Sequence, residues 1–396
     1  MEYILLNKVF SVSVEPHSVS VPVLTVTSQP AVSVDAVTTA LLRLDPSGSV
    51  FTSTHCVLAN LTYSTGCIEQ ARPLLEKTII FYPDSTSQPK LPCDEQLPPN
   101  AYITKPSGLT ADLTSSSALE YDMMRALIFI QDRRWAPALD ALERCIAFPT
   151  DESTVSNIMI CAFQKWTLVS LILHGRIIGL PGSPSPATTI AYEAAGEPYV
   201  RFDTLFAEEN AAGLLEHRYQ ENASFSADGN LGLVEEVLRS FQRWQIAHLG
   251  DLYSKISIPE IRQLSQCALT GKSLDTDDEV LRLVRDMIGT KALNGRLQSP
   301  GGGEPDYLEF LPDSEALTEA EFAKKVLAAT ADLDALATVQ KATNAGLTRN
   351  KDFVRHMQRE KKRREKDPEG RMDLAVDFDT QVEDEDLMLG LGGSEG

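Results

Sequence analysis

Apolar residues recur at helical spacing through most of this chain, and the places where the spacing changes mark its organisation. From Ala36 to Tyr82 the pattern is helical. Leu41, Leu42 and Leu44 precede a turn at Asp45-Pro-Ser-Gly48, and residues 54–63 and 68–81 predict two helices on either side of Gly66. A second helical pair is predicted over residues 119–130 and 135–148. The two pairs share a pattern: Ala71, Leu75, Glu76, Ile79 and Phe81 recur as Ala138, Leu142, Glu143, Ile146 and Phe148, a constant offset of 67 residues. One helix pair cannot bury its apolar face alone, so recurring pairs stack into an α-solenoid. Residues 154–173 are the most apolar helical segment; Gln164, Lys165 and Trp166 interrupt it, which predicts a buried helix with one wet edge. Residues 188–220 predict a further pair anchored by Tyr192, Tyr199, Phe202, Leu205 and Phe206. Residues 231–253 predict a long amphipathic helix carrying Leu233, Val237, Leu238, Phe241, Ile246 and Leu249.

The periodicity changes between Ile256 and Pro312. Ser257-Ile-Pro-Glu260 is a capping box with proline in the first turn, followed by Ile261, Leu264 and Ala268 at helical spacing. Thr276-Asp-Asp-Glu279 opens a second helix with Val280, Leu281, Val284, Met287 and Ile288 on its apolar side, ended by Gly289. Residues 292–298 and 306–311 alternate around a Gly-rich turn and predict a hairpin. Strand, helix, helix, strand, wing, strand is a winged helix. Residues 306–311 are expected to be its exposed last strand, so Tyr307, Leu308 and Phe310 are candidates for strand-to-strand docking with a partner. Beyond the wing, Phe322, Val326, Ala329, Leu333 and Leu336 follow at spacings of four, three, four and three along a helix predicted for residues 319–345 and capped by Gly346. That heptad seam wants partner helices, which makes Phe322, Val326, Leu333 and Leu336 candidate partner-binding residues.

The expected architecture is mainly α. A variable Ser/Val-rich arm covers 1–36, TPR-like helical repeats 37–220, the winged-helix module 221–312 and a C-terminal bundle helix 313–357. A basic then acidic disordered tail covers 358–396. Residues 83–117, rich in Pro, Ser and Thr, read as a linker. Lys361 to Lys366, with Lys361-Lys-Arg-Arg364 at its start, is a candidate nuclear import signal, and residues 373–396 hold eight acidic residues and no basic ones.

Charge changes the reading of the winged helix. The chain carries a formal net charge of −20 and a pI near 4.7. Between Ile256 and Pro312 six Lys and Arg face nine Asp and Glu, and the second helix would present Asp277, Asp278 and Glu279 to a DNA groove. Phosphate attraction supplies most nucleic-acid affinity, so a protein-docking winged helix is expected and a nucleic-acid binder is the disfavoured alternative. The same charge argues against an anionic membrane surface. The longest apolar stretch, residues 167–173, is too short to span a bilayer. The six cysteines form no C-x-x-C pair and read as free thiols in a reducing compartment.

Catalytic constellations are missing. A zinc isopeptidase site of the H-x-H type needs two closely spaced histidines, and His17, His55, His174, His217, His248 and His356 are all far apart. Gly271-Lys-Ser273 resembles the end of a phosphate-binding loop, but Gln266 stands where its first glycine belongs. No enzyme, cofactor, metal or small-molecule ligand is expected.

Helical repeats running into a winged helix are the PCI arrangement, shared by the proteasome lid, the COP9 signalosome and a translation initiation factor complex. Residues 154–175, Thr-Val-Ser-Asn-Ile-Met-Ile-Cys-Ala-Phe-Gln-Lys-Trp-Thr-Leu-Val-Ser-Leu-Ile-Leu-His-Gly, resemble the COP9 signalosome subunit 3 family. So do Phe225-Ser-Ala-Asp-Gly-Asn-Leu-Gly-Leu-Val234, Thr52-Ser-Thr-His55, Ala71-Arg-Pro-Leu-Leu75 and Asn350-Lys-Asp-Phe-Val354. The resemblance covers roughly residues 50 to 357. Members of that family carry further helices before the position of Thr52, so the N-terminal helical region is expected to be shortened here. The resemblance implies a scaffold subunit, present in cytoplasm and nucleus, of a complex that removes NEDD8 from cullins. Its partners would be other PCI subunits, met through the winged-helix edge and the C-terminal helix, while a different subunit supplies the zinc site. A PCI subunit of the proteasome lid is the alternative.

Overall fold

Helix ends set the first layer. Helix α1 (Pro30–Leu44) buries Val34 and Leu41, so the last residues of the expected arm are helical. Helix α2 (Ser53–Thr65) starts at Thr52, whose capping partner is His55, and stops where Gly66 turns left-handed at φ 69°. Helix α3 (Ile68–Leu75) is shorter than the expected 68–81. Ile80 and Phe81 donate their N–H groups to Ser49 O (2.8 and 3.0 Å), and Phe51 N–H donates to Phe81 O (2.9 Å). Extended pairing with residues 49–51 thus replaces the last helical turns. The structure is a computed structural model describing residues 30–83, 99–149, 155–182, 184–299, 305–311, 319–349 and 351–366. Expectations for residues 1–29, the wing tip at 300–304 and the acidic tail lie outside the described residues.

The second layer repeats the first. Helix α4 (Pro99–Tyr102) lies in the segment read as linker, and Tyr102 Oη donates to Leu44 O at 2.7 Å. Burial of Tyr102 and Ile103 beside Val50 makes this stretch part of the core. Helices α5 (Ser115–Gln131) and α6 (Trp135–Ile146) follow. Helices α3 and α6 start 67 residues apart, as the sequence offset requires, and Ala71, Leu75, Ala138 and Leu142 are all buried. The repeat fails past Leu75, where Ile79 is buried from a loop and Ile146 from a helix.

Helix α7 (Asn157–His174) is largely buried, and Gln164, Lys165 and Trp166 are buried with it. The expected wet edge is absent because the turn at Asp228–Asn230 reaches Lys165 and Glu143 of α6 reaches Trp166. By length and apolar content this helix would also suit a bilayer, but most of it is enclosed by protein. It ends at Gly175 (φ 66°), where an added Cβ would meet the Trp244 ring at 2.5 Å. The expected pair over 188–220 is three helices: α8 (Pro186–Ala195), α9 (Glu197–Ala207) and α10 (Ala211–Gln220). Gly196 separates the first two against the Phe163 ring, 2.6 Å from where its Cβ would stand. Short α11 (Asn222–Ala227) leads to α12 (Leu231–Leu252), as expected.

Strand β1 (Lys255–Ser257), α13 (Ile258–Leu264), α14 (Asp277–Gly289), β2 (Gly295–Gln298) and β3 (Tyr307–Phe310) follow in the winged-helix order. Ile246 of α12 joins Ile256, Ile261, Val280, Val284, Met287 and Leu308 in a second core, while Val237 and Phe241 of the same helix lie in the first. Helix α13 ends at Leu264, earlier than expected; Ala268 is buried beyond it in the first core. Repeats and winged helix share one unit, residues 1–312; residues 313–396 form another. That second unit holds α15 (Glu319–Arg349) and α16 (Lys351–Lys366). Helix α15 runs through Gly346 instead of stopping there. The basic run at 358–366, expected in the disordered tail, is helical, in keeping with the good helix propensity of Lys, Arg and Glu.

Candidate protein-docking surfaces

The two stretches that carry the strongest family resemblance meet at a buried polar joint. Lys165 Nζ of α7 donates to Asn230 Oδ1 and, at 3.5 Å, to Asp228 O. Asn230 Nδ2 donates to Tyr199 Oη, and Tyr199 Oη donates to Asp228 Oδ2, both at 2.7 Å. Burial pulls the Lys165 ammonium below its ordinary pKa, against the opposing pull of Cys161 and Asp228. The joint fixes the Asp228–Asn230 turn, which starts α12, and α12 in turn carries the winged helix.

The sheet order is β1-β3-β2, all antiparallel. This corrects the expectation that residues 306–311 form the exposed last strand: β3 is the central strand. Leu308 is fully buried between Ile256 and Leu297. Tyr307 donates to Gln298 Oε1 at 2.6 Å, and Phe310 packs against the second core. The wing returns the chain between the two earlier strands, so the last strand in sequence is paired on both sides. The free edges belong to β1 and β2. Leu311 N–H donates to Asn294 O, and in an antiparallel ladder the bonded residues alternate, so Gly295 and Leu297 turn their peptide groups away from β3. On the other edge the outward Ser257 N–H is taken by Glu260 Oε2 at 3.1 Å. Strand order alone reveals the β2 edge, where among the described residues no side chain takes an outward N–H. Opposite charge closes part of the sheet face instead, with Lys255 Nζ 3.0 Å from Glu309.

The other candidate surface is on α15, a helix about 46 Å long at a rise of 1.5 Å per residue. Phe322, Val326, Leu333 and Leu336 are 58%, 46%, 65% and 51% exposed. At 100° per residue they fall within one narrow stripe. Burying four such side chains is worth about 1.5–3 kcal/mol each.

Among the described residues no group of His, Cys, Asp and Glu gathers as a metal site. His55, the one buried histidine there, serves α2: Thr52 N–H can only donate, so Nδ1 accepts it at 3.1 Å and the ring proton sits on Nε2. Five described cysteines are free thiols, and burial pushes the Cys56 thiol up to about 12. These residues stabilise the fold rather than gather at a reactive centre.

Residues 14–188 match the family described as COP9 signalosome complex subunit 3, N-terminal helical repeats. The likeness thus begins inside the segment read as an arm, well before residue 50. A Neurospora crassa protein named COP9 signalosome complex subunit 3 is 41% identical over 331 residues, covering 82% of this chain and 66% of that protein. The Emericella nidulans protein of the same name is 30% identical over 293 residues, 73% of this chain and 58% of its own. An Arabidopsis thaliana protein, again of that name, is 25% identical over 202 residues, 51% and 44%. The chain therefore spans just under two thirds of the first relative and less of the others. None of these names favours the proteasome-lid or nucleic-acid alternatives. Mainly helical repeats, the strand and helix order after them and these relatives agree, and the chain belongs to the COP9 signalosome subunit 3 family.

Proposed function

We propose that this chain is a non-catalytic scaffold subunit of the COP9 signalosome, holding other PCI subunits in place while a different subunit performs the zinc chemistry that removes NEDD8 from cullins. The observation that carries the reading is the exposed heptad seam of α15, whose spacing suits helices packed at shallow crossing angles. Changing Val326→Asp and Leu333→Asp together tests it. The free protein should keep its melting temperature and fail to join the complex. A sharp fall in melting temperature with normal assembly of the folded fraction would refute it.

A second contact is proposed at the β2 edge, in place of β3. Leu297→Pro removes an N–H that points away from β3 and leaves the ladder bonds intact. It should weaken incorporation while the repeats stay folded; normal incorporation would exclude this edge. The reading carries a location in cytoplasm and nucleus, with Lys361–Arg364 offered to an import receptor. Loss of nuclear signal from a fluorescent fusion on changing those four residues to Ala would support that role.

A further inference from the structure

A groove in the repeat region combines apolar walls with one carboxylate that, among the described residues, no cation meets. Leu139 and Glu143 stand one turn apart on α6, and Trp166, Ser170 and His174 stand at successive turns of α7. The loop at Ile178–Pro181 closes the third side. The space is about 300 Å³, room for one long side chain and parts of its neighbours. Glu143 is held in place there: its Oε1 accepts the Trp166 indole N–H at 3.3 Å. Two acidic neighbours already have cations, since Asp122 faces Arg144 and Arg125, and Asp140 faces Arg125. Among the described residues no cation is set against Glu143. Ile178, at the rim, is 68% exposed although it is a large apolar residue.

We propose that this groove docks an extended segment of a partner protein bearing an arginine flanked by apolar residues. The guanidinium would pair with Glu143, whose orientation is fixed by the indole, and the carbon stem would lie over Trp166 and Leu139. The flanking apolar side chains would cover Ile178 and Leu180. Arginine fits better than lysine because its planar fork matches a carboxylate held in one orientation and stacks on an aromatic ring. An acidic segment is opposed by Glu143 and by the chain's net charge of −20. The surface is separate from the α15 seam and the β2 edge, so it stands or falls apart from them.

The test uses the full chain and a fluorescein-labelled peptide, Gly-Ser-Leu-Arg-Leu-Ser-Gly, read by fluorescence anisotropy. Its twin carries citrulline, which has the shape of arginine without the charge. The arginine peptide should bind saturably, and citrulline should weaken binding at least about tenfold. Glu143→Gln keeps an acceptor for the Trp166 indole, so the fold should be retained. It should weaken the arginine peptide by the same factor and leave the citrulline peptide unchanged. Ile178→Asp, at an exposed position, should weaken the citrulline peptide by removing apolar contact. The variant carrying Val326→Asp and Leu333→Asp should bind as the parent does. Equal binding of the two peptides, an unchanged affinity in Glu143→Gln, or no saturable binding up to millimolar peptide would overturn the proposal. Equal binding of a lysine peptide would overturn the choice of arginine.

Discussion

His55 makes the stability of the first helical layer depend on pH, and burial of its ring sets the sign. Its ring is buried between Phe51 and Tyr121, with centroids 5.9 and 5.7 Å away. Burial lowers its pKa from 6.5 to about 4, against a smaller upward pull from Asp45. Protonating Nδ1 would also break the bond it accepts from Thr52 N–H. Above pH 6.5 the ring is neutral folded or unfolded, and this term is absent. Between 6.5 and 4 the unfolded chain binds a proton that the folded chain refuses, so stability falls as pH falls. The loss amounts to roughly 2–3 kcal/mol once the pH has fallen to about 4.5, at 1.36 kcal/mol per unit. His55→Gln separates this from every other titration, because Gln also serves the third position of a capping box and carries no proton. At pH 7 the variant should be about 1 kcal/mol less stable, from the lost ring contacts. Near pH 4.5 it should be the more stable of the two, by roughly 1–2 kcal/mol. Urea midpoints of both proteins across this range provide the readout. A constant offset between the two curves would refute the reasoning.

Two further substitutions test the joint and the turns. Asn230→Ala leaves the buried Lys165 ammonium without its side-chain acceptor and Tyr199 without a donor, and should cost about 3 kcal/mol or more by urea unfolding. Lys291 follows α14 at φ 58°, where a side chain is strained by about 1 kcal/mol; Lys291→Gly should raise stability by up to that amount in thermal melts.

Helix spacing and capping boxes made much of this fold legible. Ser257 and Thr276 stand where the chain enters α13 and α14, although only Ser257 closes its box, and the 67-residue offset identified two stacked pairs. What was not legible depended on partners distant in sequence. Residues 79–81 read as helix, and only the nearness of Ser49 draws them into an extended pair. Lys165 read as a wet edge because a lone cation in an apolar run looks solvated; its acceptor lies 65 residues away. The candidate docking strand was misplaced for a similar reason. Alternation locates a strand, but pairing on both sides of Tyr307–Phe310 is a property of the sheet.

The distance between Lys165 and Asn230 also sets an order of events while the chain is being made. Helix α7 leaves the ribosome with an apolar body and an ammonium whose side-chain acceptor Asn230 has yet to be translated. At roughly 5–20 residues per second, the 65 residues between them take several seconds. Through that interval the first layer can close, since its own partners have already emerged. The middle of the repeat region must wait, with the face of its most apolar helix that meets α9 and α12 still uncovered. That nascent stretch is where a chaperone would be needed, and where a ribosome stalled before Asn230 would leave an aggregation-prone product.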